Sequence, residues 1–137
     1  MKTMINKTPY YFYTCILILC FLLGGHDLFA QQTIEGQWTA VEGMAIQEFN
    51  FNNDSTGSYK RESRTFSITT YTTSATSITS REFIDYTINH NGSDTALYAV
   101  VDFTSSTEMN IAIFTQKTDR DQYATGNLPP STKFQKN

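Results

Sequence analysis

The chain has 137 residues, of which 39% are hydrophobic and 17% charged, and its formal net charge is −3 at pH 7. Its ten lysine and arginine residues are scattered, which argues against a nucleic-acid partner, since phosphate backbones are bound by clustered basic residues. Both cysteines, Cys15 and Cys20, precede residue 21, so the rest of the chain has no disulfide, no thiolate metal site and no cysteine nucleophile.

Residues 1–30 have the layout of a cleavable secretory signal peptide. Lys2 and Lys7 form a short positive segment, Tyr10 to Leu23 is an apolar run of fourteen residues with one threonine, and Ala30 offers a small residue for cleavage. A membrane-spanning helix needs about 20 apolar residues, so this run is too short for a stable span. We predict export to the periplasm, the cell surface or the extracellular space. The lack of cysteine in the exported part favours a bacterial envelope.

The segment Leu17 to Cys20 superficially resembles a lipidation box. Such a box requires a small residue before the cysteine, and Leu19 stands there instead. Lipidation at Cys20 is therefore disfavoured. The folded domain is predicted over residues 31–137, where eight lysine and arginine residues and twelve acidic residues give a net charge of −4.

The predicted first strand begins at Gly36-Gln37-Trp38, which contains the only tryptophan of the chain. Glycine lets another chain segment approach closely, and residues two apart on a strand share a face. We predict that Gly36 and Trp38 form a structural plug at one end of a barrel. The indole is expected in the core rather than against a ligand.

A period-two pattern of apolar residues follows, which predicts strands with one buried and one solvent-facing side. It is clearest at Phe49 and Phe51, at Ile84 to Ile88, at Leu97 to Phe103 and at Met109 to Ile113. No window of 11 or more residues in this part has the 3.6-residue apolar stripe of a helix. The pattern does not exclude a helix near 119–124, but such a helix would be short.

Turn-forming residues separate the strands at 52–57, 90–94, 105–106 and 126–131, before a last strand at Thr132 to Lys136. Asn91-Gly92 is the strongest hairpin signal, because both residues tolerate positive φ. Twelve of the eighteen residues from Ser63 to Ser80 are serine or threonine. We predict two strands there, 65–72 and 76–83, rather than a modified stalk. The fold class is all-β, an antiparallel meander β-barrel of about eight strands, whose closure removes exposed sheet edges.

The sequence offers little for catalysis. His90 is the only histidine after residue 30, it lies at a predicted turn, and no serine occupies a Gly-x-Ser-x-Gly elbow. We therefore predict that the protein is not an enzyme and uses no cofactor. Asp119 and Asp121 flank Arg120 in a loop, which we interpret as a solvated charge patch.

No metal site is predicted either. A transition-metal site needs clustered histidine and cysteine, which this chain lacks after residue 30. Asn50, Asn52 and Asp54 alternate before Gly57 as calcium ligands do, but the bidentate glutamate of a calcium loop is missing. A turn built on Asn and Asp side chains explains the pattern better.

Two triplets resemble an acceptor pattern for O-glycosylation in exported bacterial proteins. They are Asp54-Ser55-Thr56 and Asp94-Thr95-Ala96, and both lie at predicted turns. Ser55 and Thr95 are therefore candidate O-glycosylation sites.

Gly36-x-Trp38 at the start of the first strand is similar to the signature of the lipocalin and calycin families. The resemblance continues through Phe49-x-Phe51, the strand pair around Tyr86 and Leu97, and the terminal strand, as in short lipocalin-like domains of exported bacterial proteins. Lipocalins have an arginine late in the barrel that packs over the tryptophan, where this chain has Lys133 and Lys136. Thr118-Asp119-Arg120 resembles a second lipocalin motif without its aromatic residue.

The resemblance implies a non-enzymatic barrel that binds a small apolar or amphipathic ligand at its open end. The interior residues that would line the site are Phe49, Phe51, Ile84, Tyr86 and Leu97. An equally good interpretation is that these side chains fill a solid core, since a small eight-stranded barrel can be filled by its own side chains. The alternative function is a protein–protein interaction module, an inhibitor or an envelope assembly factor, with contacts on an outer face that includes Tyr71.

Overall fold

The computed structural model describes residues 32–42 and 45–137. The predicted signal peptide and Cys20 lie outside the described residues. Within these ranges no helix combines the length and the hydropathy needed to cross a membrane.

The described residues form a closed antiparallel β-barrel in which each strand pairs with the next along the chain and the last pairs with the first. This confirms the predicted all-β meander of about eight strands. The strands are β1 (Gly36–Ala40), β2 (Ile46–Phe51), β3 (Gly57–Arg61), β4 (Arg64–Ala75), β5 (Arg81–His90), β6 (Ser93–Ser105), β7 (Glu108–Phe114) and β8 (Thr132–Lys136).

Strand direction alternates around the barrel, so the connections divide between two ends. One, here called the Trp38 end, holds the start of β1 and the turns at 52–56, 76–80 and 106–107. The other, called the His90 end, holds the turns at 62–63 and 91–92, the β1–β2 connection, and the points where the β7–β8 connection leaves β7 and enters β8. Inner-face residues near 62–63 and 91–92 therefore meet at a single opening.

The hairpin between β5 and β6 forms as its sequence predicts. Asn91 has φ of 53° and Gly92 has φ of 82°, and His90 pairs with Ser93 across the turn. Positive φ at both central residues matches the right-handed twist of the flanking strands. Nine further pairs in register carry this alignment to Arg81 and Asp102.

The prediction of a separate strand over 76–83 is wrong. β4 runs without a break through most of the Ser/Thr-rich segment, and residues 76–80 form the turn to β5. The Thr76 hydroxyl explains the break, since it accepts a hydrogen bond from the Ile78 N–H (3.1 Å) and donates to the Arg81 carbonyl (3.1 Å). Such local bonds compete with the sheet ladder.

A short helix, α1 (Lys117–Asp121), continues as a 3₁₀ turn at Gln122–Ala124 between β7 and β8. Arg81, on the outer face of β5, donates hydrogen bonds to the carbonyl oxygens of Tyr123 (3.1 Å) and Gly126 (2.9 Å). It also pairs with Asp102 at 2.9 Å. These bonds fix the segment after α1 against the outside of the barrel.

The interpretation of residues 119–121 as a solvated charge patch is wrong for Arg120, which is only 2% exposed. Its guanidinium lies 4.2 Å from the centre of the Phe83 ring and pairs with Asp85 and, at 2.7 Å, with Asp121. The guanidinium of Arg120 is thus buried between α1 and the outer face of β5, where it is paired with carboxylates.

Candidate functional site

The Trp38 end of the barrel is closed by packed side chains. Trp38 is fully buried, and its Nε1–H donates to the Ile34 carbonyl at 2.7 Å. The Lys136 Nζ lies 5.2 Å from the centre of the indole, in a cation–π contact. Gly36 has φ of +117°, and a Cβ there would lie 2.7 Å from the Lys136 Cε. The glycine therefore leaves the space through which the lysine reaches the tryptophan.

Four of the five residues expected to line a ligand site lie deep in the core. Phe49, Phe51, Ile84 and Tyr86 are all buried. The Phe49 ring alone stacks with Phe51 (5.4 Å between ring centres) and packs edge-on against Phe134 (5.4 Å) and Tyr86 (6.3 Å). The neighbouring rings therefore fill the space around Phe49 inside the barrel. Contact of these four residues with a ligand stays a prediction.

Leu97, the fifth, lies in the half of β6 nearer the His90 end and is only partly buried. Four other apolar side chains share this position, packed against the core yet partly open to solvent. The strand order places all five toward this opening, because each lies in the half of its strand that is nearer the His90 end. The five residues, here called the mouth ring, are Ala40, Ile46, Phe66, Leu97 and Ile113.

An open groove of about 400 Å³ adjoins the mouth ring between the β3–β4 and β5–β6 hairpins. It is lined by Arg64, Thr65, Phe66, His90 and Asn91. The Phe66 ring lies 5.1 Å from His90 and stacks at 4.8 Å on Tyr59, whose ring lies 5.8 Å from Phe49. Aromatic contacts thus run from the solvent-facing groove into the core.

The phenol of Tyr86 is a polar group in this core. It is buried, and its hydroxyl has no hydrogen-bond partner among the described residues. Burial, with a smaller contribution from Tyr59, raises the pKa of Tyr86. A buried hydroxyl without a partner costs about 1–3 kcal/mol.

We expect Tyr86→Phe to be neutral or to raise the free energy of unfolding by about 1–2 kcal/mol, because it removes that unpaired group. The wild type should also lose more stability than the variant above about pH 10, since the unfolded phenol ionises while the folded one stays protonated. Urea denaturation at neutral and alkaline pH measures both. Tyr98→Phe, on the partly exposed outer face, is the control. A destabilised Tyr86→Phe would mean that the hydroxyl has a partner.

Glu82 is an acidic group on the inner face of β5, two residues before Ile84, and it is half-buried. Burial raises the pKa of its carboxyl. The unfolded state therefore ionises first as pH rises, so Glu82 costs stability above its unfolded value of 4.5. We expect Glu82→Gln to be more stable than wild type at pH 7, with the difference shrinking toward pH 4. Thermal melts across this range test it, and a constant difference would contradict it.

The Asn-rich turn before β3 is held by its own side chains. The Asp54 carboxylate accepts hydrogen bonds from the Thr56 N–H (3.0 Å) and hydroxyl (2.5 Å), and these bonds lower the pKa of Asp54. Asn52 donates to the Thr56 hydroxyl at 3.1 Å. In the part of the chain that the structure describes, no three His, Cys, Asp or Glu side chains gather as metal ligands. The geometry is that of an Asx turn.

The two candidate glycosylation residues are accessible. Ser55 is exposed in the 52–56 turn with φ of 65°, and Thr95 is exposed near the start of β6. O-glycosylation at either residue stays a prediction. Tyr71, placed on an outer face by the interaction hypothesis, is instead buried, and its hydroxyl donates to the Asn52 carbonyl at 2.6 Å.

Sequence reasoning missed Phe66, Arg64 and the role of the 62–63 turn at the opening. Period two assigns Phe66 to the inner face, but it does not say how far from the barrel end a residue lies. The usable signal was the pair of arginines that flank the two-residue turn Glu62-Ser63.

The sequence matches no protein-family model and no curated protein, and the chain matches no solved structure. The lipocalin resemblance therefore rests on the pattern from Gly36 to Lys136. The structure is consistent with that pattern, because it is a closed eight-stranded antiparallel barrel with packed side chains at one end and the mouth ring at the other.

Proposed function

We propose that this chain is an exported, non-enzymatic, lipocalin-like domain that binds a small apolar or amphipathic ligand at the His90 end. The observation that carries the proposal is the mouth ring beside the groove of about 400 Å³. Ligand sites are typically concave and mainly apolar, with a few polar groups that set orientation. Here the mouth ring supplies the apolar surface and the adjoining groove supplies the polar groups, since Phe66 is the one apolar residue that lines the groove, beside Arg64 and His90.

The filled core supports a ligand position outside the barrel interior. Phe49 and Tyr86 are buried against neighbouring rings, so the ligand would rest on the mouth ring rather than enter the barrel. Export is supported by the layout of residues 1–30 and by the lack of cysteine after Cys20.

Titration of the purified protein with decanol, followed by backbone amide NMR, tests the proposal. We expect saturable shifts at Phe66, Leu97 and Ile113, with little change near Trp38. Leu97→Asp should abolish the shifts by placing a charge in the mouth ring. Ser67→Asp, on the exposed outer face of β4, adds the same charge away from the ring and should bind normally. Binding that survives Leu97→Asp, or shifts confined to the Trp38 end, would overturn the proposal.

A further inference from the structure

Two arginines face each other at the rim of the His90 end. Arg61 ends β3, Arg64 begins β4, and the two are direct partners in the ladder. Arg61 lies two residues after the buried Tyr59, and Arg64 two residues before Phe66, so both lie on the inner side of their strands. They therefore lie on the same side of the sheet as Ile46 of the mouth ring, which is the ladder partner of Arg61.

This arrangement places two positive charges opposite each other in the ladder. Like charges directly opposite each other in a ladder destabilise a sheet. No carboxylate of the described residues lies within 4.0 Å of either guanidinium, although Glu62 occupies the turn between them. Both side chains are exposed.

The other cations of the barrel are engaged within the chain. Arg81, Lys117, Arg120 and Lys133 each pair with a carboxylate, and Lys136 lies over Trp38. Within the described ranges, the cations without such a partner are Lys60, Arg61 and Arg64, all on the β3–β4 hairpin. A chain of net negative charge thus concentrates its available positive charge at one hairpin.

We propose that Arg61 and Arg64 bind the anionic headgroup of a single amphiphile, a carboxylate or a sulfate, whose hydrocarbon part lies on Phe66 and Leu97 in the mouth ring. This inference rests on the proposed function and names the ligand class for that site. Guanidinium groups suit such headgroups because their planar N–H donors form paired, charge-assisted hydrogen bonds with the oxygens. The bound anion would also relieve the repulsion between the two arginines.

Calorimetric titration with decanoate, decyl sulfate, decanol and decyltrimethylammonium tests the inference at constant hydrocarbon length. We expect the two anions to bind about tenfold more tightly than decanol, and the cation to bind more weakly than decanol. In the double variant R61Q/R64Q, decanoate and decanol should bind with equal affinity, because the headgroup no longer meets a positive charge. K60Q removes one charge from the outer side of the same hairpin and should have little effect.

The outcomes separate the two proposals. Equal affinity for decanoate and decanol would overturn the headgroup inference and leave the ligand site standing. Failure of all four compounds to bind would overturn the ligand site itself. If K60Q costs as much as R61Q/R64Q, unspecific attraction explains the preference and the inference is wrong. Binding to anionic phosphatidylglycerol vesicles without binding to monomeric decanoate would mean a membrane surface is recognised, which also overturns it.

Discussion

Trp38→Ala is expected to lower the free energy of unfolding by about 3–5 kcal/mol, because the indole is fully buried and its loss leaves a large cavity. Three contacts disappear with the ring: the hydrogen bond to the Ile34 carbonyl, the tilted packing on Phe103 at 6.1 Å, and the cation–π contact with Lys136. Urea denaturation followed by far-ultraviolet circular dichroism gives the free energy directly.

Trp38→Phe is the matched control, since it keeps an aromatic ring and loses the indole N–H donor. Its expected cost is about 1–3 kcal/mol, the range for a buried acceptor left unpaired. An unchanged urea midpoint for Trp38→Ala would show that the indole is not part of the core and does not close this end of the barrel.

Arg120→Ala is expected to cost about 3 kcal/mol, at the lower end of the range for breaking a buried ion pair. The lower end applies because Asp85 is 34% exposed and keeps Lys117 at 3.3 Å. The variant also loses the packing of the arginine stem and its contact with the Phe83 ring. Thermal melts and urea denaturation both measure this loss.

Lys117→Met provides the comparison, because Lys117 pairs with the same carboxylate but is 56% exposed. An exposed pair contributes about 0–1 kcal/mol, so this variant should be nearly neutral. If Arg120→Ala and Lys117→Met cost the same, burial of Arg120 contributes nothing and α1 is not fixed to the barrel by it.

The strands were predictable where local chemistry and burial agree. Alternation at Leu97 to Phe103 and the Asn91-Gly92 turn both follow from rules that act within a few residues. The last strand at Thr132–Lys136 was predicted with its observed bounds. The 76–83 segment was not, because threonine suits a strand and a turn alike, and the Thr76 hydroxyl bonds that favour the turn depend on where Arg81 lies.

The candidate site was predictable only in part. The period-two pattern correctly predicted which residues of β2, β5 and β6 face the barrel interior. It does not predict how far each of them lies from the end of the barrel. Phe49 and Leu97 both point inward, yet one is covered by rings from other strands and the other lies near the opening. Depth depends on register and strand length around the whole barrel, which no single segment encodes. The burial of Arg120 was missed for a similar reason, since its partner Asp85 is 35 residues away.

Closure between β1 and β8 has a consequence for the order of folding. Trp38 pairs with Lys136 and Ala40 with Phe134. The hydrogen-bonding groups on the second edge of β1 therefore stay unpaired until β8 is available. A growing chain that has not reached Thr132 presents two open edges, β1 and β7, to any other chain nearby. Such pairings across most of the sequence form slowly. The hairpins can form early, but the barrel exists only once residues 132–136 are available, and until then its open edges can recruit a neighbouring chain.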